Sequence, residues 1–196
     1  GEGVGKSTQL RALADQLTTL GKSVVLTREP GGTEGAEAIR QLLLSGEGER
    51  WTPQSEALLF AAARADHVAR LIKPAVARGD WVLCDRYLES SRAYQGAALG
   101  LGDSEICGLH RFGSDDFRAD RVLVLNLSDE TAAERLARRG DGSDRIEARG
   151  PAFHGTVRAA FRDMAQDEPD RIRLIDANAP VEAVTDALIT ELSDLL

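Results

Sequence analysis

Cysteine, histidine and long apolar runs are all scarce in this chain of 196 residues. The two cysteines, Cys84 and Cys107, are too few for a disulfide framework and too far apart for a Cys-x-x-Cys pair, which predicts a reduced, cytoplasmic setting. The three histidines, His67, His110 and His154, show no metal-ligand spacing. No segment approaches the ~18 apolar residues of a membrane span. Basic side chains are outnumbered, 24 against 32 acidic, for a formal net charge of −8. That balance argues against general affinity for nucleic acid or an anionic membrane. Any local cluster of arginines therefore calls for its own explanation. Repeats, linkers and low-complexity tracts are absent, and the length predicts a single domain over residues 1–196 with a proper core.

What is present begins at the first residue. Gly1-Glu2-Gly3-Val4-Gly5-Lys6-Ser7-Thr8 carries the end of a phosphate-binding loop, Gly, four residues, then Gly-Lys-Ser/Thr. Counted back from Gly5, the first glycine of that pattern would stand one position before Gly1. The sequence is thus expected to start inside its own active site, without the apolar strand that feeds such a loop. Glycines let consecutive backbone N–H groups turn inward on a phosphate. The helix that follows aims its N-terminal dipole at the same anion. Glu2, Gly3, Val4, Gly5, Lys6, Ser7 and Thr8 are the candidate ATP-binding residues. Lys6 supplies a point charge for the β- and γ-phosphates, and Ser7 a hydroxyl for Mg²⁺. For Glu2 a plain solvent-exposed carboxylate is the alternative.

The rest of the chain alternates helix and strand. Leu10, Leu13, Ala14, Leu17 and Leu20 mark one face of a helix stopped at Gly21. Short buried strands are expected at 23–27, 81–84, 122–127 and 172–175. A Pro30-Gly31-Gly32 turn leads to a helix around Ile39, Leu42 and Leu43, and Pro53 opens a long alanine-rich helix through Ile72. Further helices are expected at 129–139 and 181–195. Continuous apolar strands between helices predict an α/β fold with a parallel sheet covered on both faces. The strand 81–84 runs into Asp85, the place where a carboxylate at a strand's end holds Mg²⁺ behind a phosphate-binding loop.

Four segments then accumulate in order: Thr27-Arg28-Glu29-Pro30-Gly31-Gly32-Thr33, Leu59-Phe60-Ala61-Ala62-Ala63-Arg64, Asp85-Arg86-Tyr87, and Ser91-Arg92-Ala93-Tyr94-Gln95-Gly96. Together with the loop they make the chain resemble the bacterial thymidylate kinases over essentially its whole length. The resemblance implies a P-loop nucleoside-monophosphate kinase fold, five-stranded in the intact family with the first strand missing here, and a small lid near 138–152. It implies the reaction ATP + dTMP ⇌ ADP + dTDP with Mg²⁺, and a homodimer packed through helices, for which Ala57, Ala61, Ala65 and Ala69 offer close approach. These alanines could equally face the sheet. It also implies a cis bond before Pro30.

By the same resemblance, Phe60 stacks on the thymine ring and Arg64 reads a base edge. Arg86 grips the monophosphate near the transferring oxygen, and Arg28 is a second phosphate contact. Ser91 touches the base, Tyr94 lies under the sugar and crowds its 2′ position, and Glu2 reaches the acceptor's sugar or the metal. Read without the family, Phe60 is an ordinary core aromatic and Arg64 a solvated charge. Asp85 shares the metal with Ser7. Arg138, Arg139 and Arg145, beside Gly140 and Gly142 and within the Asp144-Arg145-Ile146-Glu147 segment, are the lid's candidate catalytic arginines alongside Lys6 and Arg86. A solvated helix end would also concentrate arginines there. Two other activities fit parts of the pattern: phosphorylation of another deoxynucleotide or deoxynucleoside, and nucleotide binding without transfer.

Overall fold

The computed structural model describes residues 5–46, 48, 50–128, 131, 145–146 and 148–196. In chain order these form α1 (Lys6–Thr19), β1 (Val24–Arg28), α2 (Glu34–Leu44), α3 (Pro53–His67), α4 (Lys73–Ala77), β2 (Trp81–Asp85), α5 (Leu88–Ser91), α6 (Asp103–Ser114), β3 (Val122–Asn126), α7 (Pro151–Asp167), β4 (Ile172–Asp176) and α8 (Val181–Thr190). Single π-helical turns occupy Val68–Ile72 and Arg92–Ala98. Two compact units emerge, one of Gly1–Lys22, Ala119–Gly142 and Phe161–Leu196, the other of Ser23–Arg118 and Ser143–Ala160.

In the first unit β3 and β4 pair in parallel, from Val122↔Ile172 to Asn126↔Asp176. Gly5 caps the start of helix α1 at a φ of 87°, a left-handed conformation that glycine adopts without the strain a Cβ would add. Its buried side, Gln9, Leu13, Ala14 and Leu17, turns to α8. There Gln9 donates to the Val181 carbonyl at 3.0 Å and accepts from the Thr185 hydroxyl at 2.9 Å, so a buried amide is satisfied at both ends.

In the second unit β1 and β2 pair in parallel, from Val24↔Trp81 to Arg28↔Asp85. The ladder runs on one residue, Glu29 N–H donating to the Asp85 carbonyl at 2.9 Å. Helix α3 packs on α2 and α6, over a core of Ala57, Leu88 and Ile106. Gly113 of α6 comes so close that a Cβ there would lie 3.3 Å from the Ala65 methyl and 3.7 Å from the Ala61 carbonyl. Part of the alanine stripe is thus used within the chain.

All four expected strands form, but they are less buried than their apolar runs imply. Among the described residues each ladder has two strands, and Leu26 and Leu174, midway along β1 and β4, stay 46% and 43% exposed. The long helix from Pro53 does not run unbroken to Ile72. Pro74 cannot donate to the carbonyl four residues back and its ring crowds that carbonyl, so the helix widens into the 68–72 turn, with Lys73 N–H bonded to the Val68 carbonyl. Helices α5, α6 and α7 have no counterpart in the sequence reading. Gly108 and Gly113 dilute the pattern of α6, whereas Phe153, Val157, Phe161 and Met164 carry helical spacing in α7. The helix expected at 129–139 lies outside the described residues, apart from Thr131.

Candidate active site

In the first unit the described part of the phosphate-binding loop is Gly5, Lys6, Ser7 and Thr8. Ser7 and Thr8 stand exposed in the first turn of α1, and Lys6 is half-buried. No acidic side chain lies in that first turn. The helix end therefore presents hydroxyls, an ammonium and the positive end of its dipole. Glu2, Gly3 and Val4 lie outside the described residues.

In the second unit the carboxyl ends of β1 and β2 gather Arg28, Glu29, Asp85 and Arg86 through the register that sets Arg28 beside Asp85. Ligands of open parallel sheets bind at this end. The Glu29–Pro30 bond is cis, as the resemblance implies. Arg86 adopts φ 70°, a left-handed conformation that costs a side-chain-bearing residue about 1–2 kcal/mol. Its guanidinium lies over the Tyr94 ring at 5.1 Å. Tyr94 is buried and stacks edge-on with Phe153 of α7, and Arg149 covers the Phe153 ring at 4.7 Å.

Arg64 is not a solvated charge. It is 3% exposed on α3, and its Nε donates to Glu29 at 2.7 Å. Its Nη2 donates to the Tyr87 carbonyl at 3.2 Å and the Ser91 hydroxyl at 2.9 Å. Among the described residues its Nη1 makes no hydrogen bond, which leaves two donors held in a fixed plane. Ser91 is thereby joined to Arg64, while Phe60, four residues earlier on α3, is half-buried. Arg28 sits apart from this group. More than half exposed, it donates to Glu37 of α2 at 3.0 Å.

Asp85 is half-buried, and its Oδ1 is enclosed with no hydrogen-bond donor among the described residues. Buried carboxylate oxygens are rarely left so, and an oxygen of this kind suits a hard cation or its water. Behind it, burial pushes the Cys84 thiol up, and the Glu29 carboxylate adds to the effect. Cys84 donates to the Arg86 carbonyl at 3.0 Å. Burial likewise raises the Tyr87 phenol, whose hydroxyl donates to the Phe117 carbonyl at 2.5 Å.

Of the arginines expected in a lid, Arg138 and Arg139 lie outside the described residues. Arg145 is turned inward: its Nη2 donates to fully buried Glu56 at 2.6 Å and its Nε to the Leu43 carbonyl at 3.1 Å. Arg149 adds 2.7 Å and 3.2 Å bonds to the same carboxylate, and Gln95 donates to it at 3.0 Å. In this arrangement Arg145 anchors its segment to α3. Beside it opens a cavity of about 840 Å³, with Trp51, Leu99, Arg149 and Phe153 in its wall.

Three residues of this region are given no site role by the sequence: Glu29, Glu56 and His67. Glu29 stands inside the Thr-Arg-Glu-Pro-Gly-Gly-Thr run itself. His67 follows Arg64 by three positions and Glu56 precedes Phe60 by four, the spacing that shares a helix face.

The thymidylate kinase family model matches residues 1–188. The thymidylate kinase of Rhizorhabdus wittichii is 56% identical over 197 aligned positions, covering all of this chain and 95% of that protein. That of Caulobacter vibrioides is 48% identical, covering 96% of this chain and 90% of its own. The crystal structure of thymidylate kinase from Ehrlichia chaffeensis superposes with a TM-score of 0.80 at 30% identity, covering 98% of this chain and 94% of that one. The chain has the P-loop nucleoside-monophosphate kinase fold, α/β with parallel strands. The chain belongs to the thymidylate kinase family.

Proposed function

We propose that this chain transfers the γ-phosphoryl group of ATP to dTMP, giving dTDP for dTTP synthesis, as one kinase domain over residues 1–196 with its lid near 138–152. The observation that carries the reading is the Arg64 guanidinium, fixed by Glu29, Tyr87 and Ser91 with Nη1 unused, at the strand ends that also bear Asp85 and Arg86. Phosphoryl transfer asks a protein for positioning and charge neutralisation rather than covalent chemistry.

Lys6 and the backbone amides of residues 2–8 hold the donor's phosphates. Arg64 donates from Nη1 to a carbonyl oxygen on the base edge, with Phe60 against the ring and Ser91 beside it. Tyr94 forms the floor under the sugar and narrows the space for a 2′-hydroxyl. Arg86 offers paired N–H donors to the acceptor phosphate and stays bonded as charge migrates. Arg28 leaves Glu37 to make a second phosphate contact, Glu2 approaches the sugar or the metal, and Arg138 or Arg139 joins from the lid, while Arg145 stays on Glu56. Lid closure keeps water from intercepting the phosphoryl group.

Ser7 and Asp85 would hold Mg²⁺, for which the enclosed Oδ1 of Asp85 is suited. When bound, the ion would supply positive charge to neutralise the donor's phosphates. Among the described residues no group of three or more His, Cys, Asp or Glu side chains is placed to hold a metal ion.

A homodimer through α3 and α6 is part of the proposal. Leu58 and Phe112, on those two helices, are 56% and 92% exposed. A cytoplasmic setting is part of the reading, supported by the two cysteines, both free thiols. No described helix is long and apolar enough to cross a membrane.

The test is a coupled ADP-release assay with dTMP, dUMP, dCMP and thymidine as acceptors, beside calorimetric titration with dTMP alone. A preference for dTMP of at least ~10-fold in kcat/KM is expected. Equal use of all four acceptors, or no turnover, would refute the assignment.

A further inference from the structure

We propose that His67 is a positioning residue for acceptor recognition, holding Arg64 and the Pro30–Gly32 turn in register through Glu29 and Thr27. The inference rests on the reading above, in which Arg64 contacts the acceptor.

His67 closes α3 with no exposed surface. Its Nδ1 lies 3.1 Å from Glu29 Oε1 and its Nε2 2.8 Å from the Thr27 hydroxyl. Glu29 is itself 4% exposed, and its other oxygen takes the Arg64 Nε–H. The carboxylate accepts at both oxygens, which requires the ring hydrogen on Nδ1. In the neutral ring Nε2 then accepts from the Thr27 hydroxyl, and every polar atom of the imidazole is used. The third contact is with the turn: a Cβ on Gly32 would lie 2.6 Å from both His67 Nε2 and Thr27 Oγ1. One ring thus touches β1, the residue before the cis bond and the turn beyond it.

The consequence for Arg64 is geometric. Glu29 has two hydrogen-bonding oxygens and two partners, Arg64 and His67. With His67 in place its carboxylate plane is set, and with it the Nε–H···O direction that orients the guanidinium and aims Nη1. Remove the imidazole and the carboxylate can rotate or draw in water, and Arg64 loses its fixed plane. A group that orients a ground-state contact changes acceptor affinity more than the chemical step.

The experiment compares the wild-type full chain with His67→Ala, His67→Leu, His67→Asn and His67→Gln. Asn can place an amide N–H near the Nδ1 position, Gln reaches toward Thr27 instead, and Leu fills space alone. The measurements are KM and kcat for dTMP, KM for ATP, and melting temperature. For Ala and Leu the expected result is a dTMP KM raised about tenfold, the order one charge-assisted hydrogen bond commands, with kcat within about threefold and ATP KM unchanged. Asn should recover most of the loss and Gln should not.

A wild-type dTMP KM in the Leu variant, or equal behaviour of Asn and Gln, would overturn the proposal. So would a lowered melting temperature with unchanged kinetics. Should the Ala variant fail to fold, the Asn and Gln pair decides. Independently, the ¹⁵N imidazole spectrum of the wild type, assigned by loss of the signal in His67→Asn, should show the Nδ1–H tautomer. The Nε2–H form would refute the arrangement. Wild-type protein that fails to phosphorylate dTMP defeats the functional reading and this inference together. Wild-type activity with indifferent variants defeats the inference alone.

Discussion

Replacing Glu56 by Gln keeps the shape of a side chain with no exposed surface but removes its charge from two arginines. Arg145 is 1% exposed in its side chain and cannot recover water where it lies, while Arg149, at 20%, partly can. Breaking a buried pair by deleting one partner costs about 3–5 kcal/mol, because the remaining charge is left uncompensated. For a chain of this size each kcal/mol lowers Tm by ~2–4 °C, so Glu56→Gln should melt roughly 6–20 °C below wild type. A double variant, Glu56→Leu with Arg145→Met, removes both charges and should lose less than the sum of its single changes.

The pair also carries a pH signature. Burial pushes the Glu56 carboxyl up, but hydrogen bonds from Arg145, Arg149 and Gln95 outweigh it and hold the group below its usual 4.5. A depressed carboxyl contributes stability that is present above pH 4.5 and lost as the pH falls through the lower, folded value. Calorimetric melts at pH 7 and in steps below pH 4.5 should therefore show the gap between wild type and Glu56→Gln closing in acid. A Tm within about 3 °C of wild type at pH 7 would refute the reasoning, since it would mean that Arg145 finds solvent or another partner at little cost.

Arg86→Gly relieves the left-handed backbone at φ 70° while removing the proposed phosphate clamp, so Tm should stay within about 3 °C of wild type as turnover falls by ~10²–10³. Arg86→Lys should be nearly as slow, because an ammonium cannot make two parallel bonds, and near-normal steady-state turnover in either variant would remove Arg86 from the mechanism. Gly32→Ala sets a methyl against His67 and Thr27 at φ 88°, and urea titration should show a loss of roughly 2–4 kcal/mol. Because burial holds the Cys84 thiol up, alkylation at pH 8 followed by mass spectrometry should label that site at least ~10-fold more slowly in the native protein than in the unfolded one.

Much of this protein is legible in its linear order because the signals are local. A helix after Gly5-Lys6-Ser7-Thr8, a turn at Pro30-Gly31-Gly32 and strands ending at Arg28 and Asp85 each depend on residues within a few positions. The parallel pairing follows from the alternation of helix and strand. What proximity along the chain could not reveal is which charges meet. Arg64 reads equally as a solvated cation until β1 and α3 bring Glu29, 35 residues away, to its Nε. Arg145 reads as a lid arginine until the fold sets it on Glu56, 89 residues away. His67, one of only three histidines, gains its position from Thr27 and Glu29, and no spacing along the chain announces either. Local backbone preference and apolar period are written into a segment itself. The partner of a buried charge is settled only when desolvation makes an unpaired one too costly, and that cost exists only in the folded molecule.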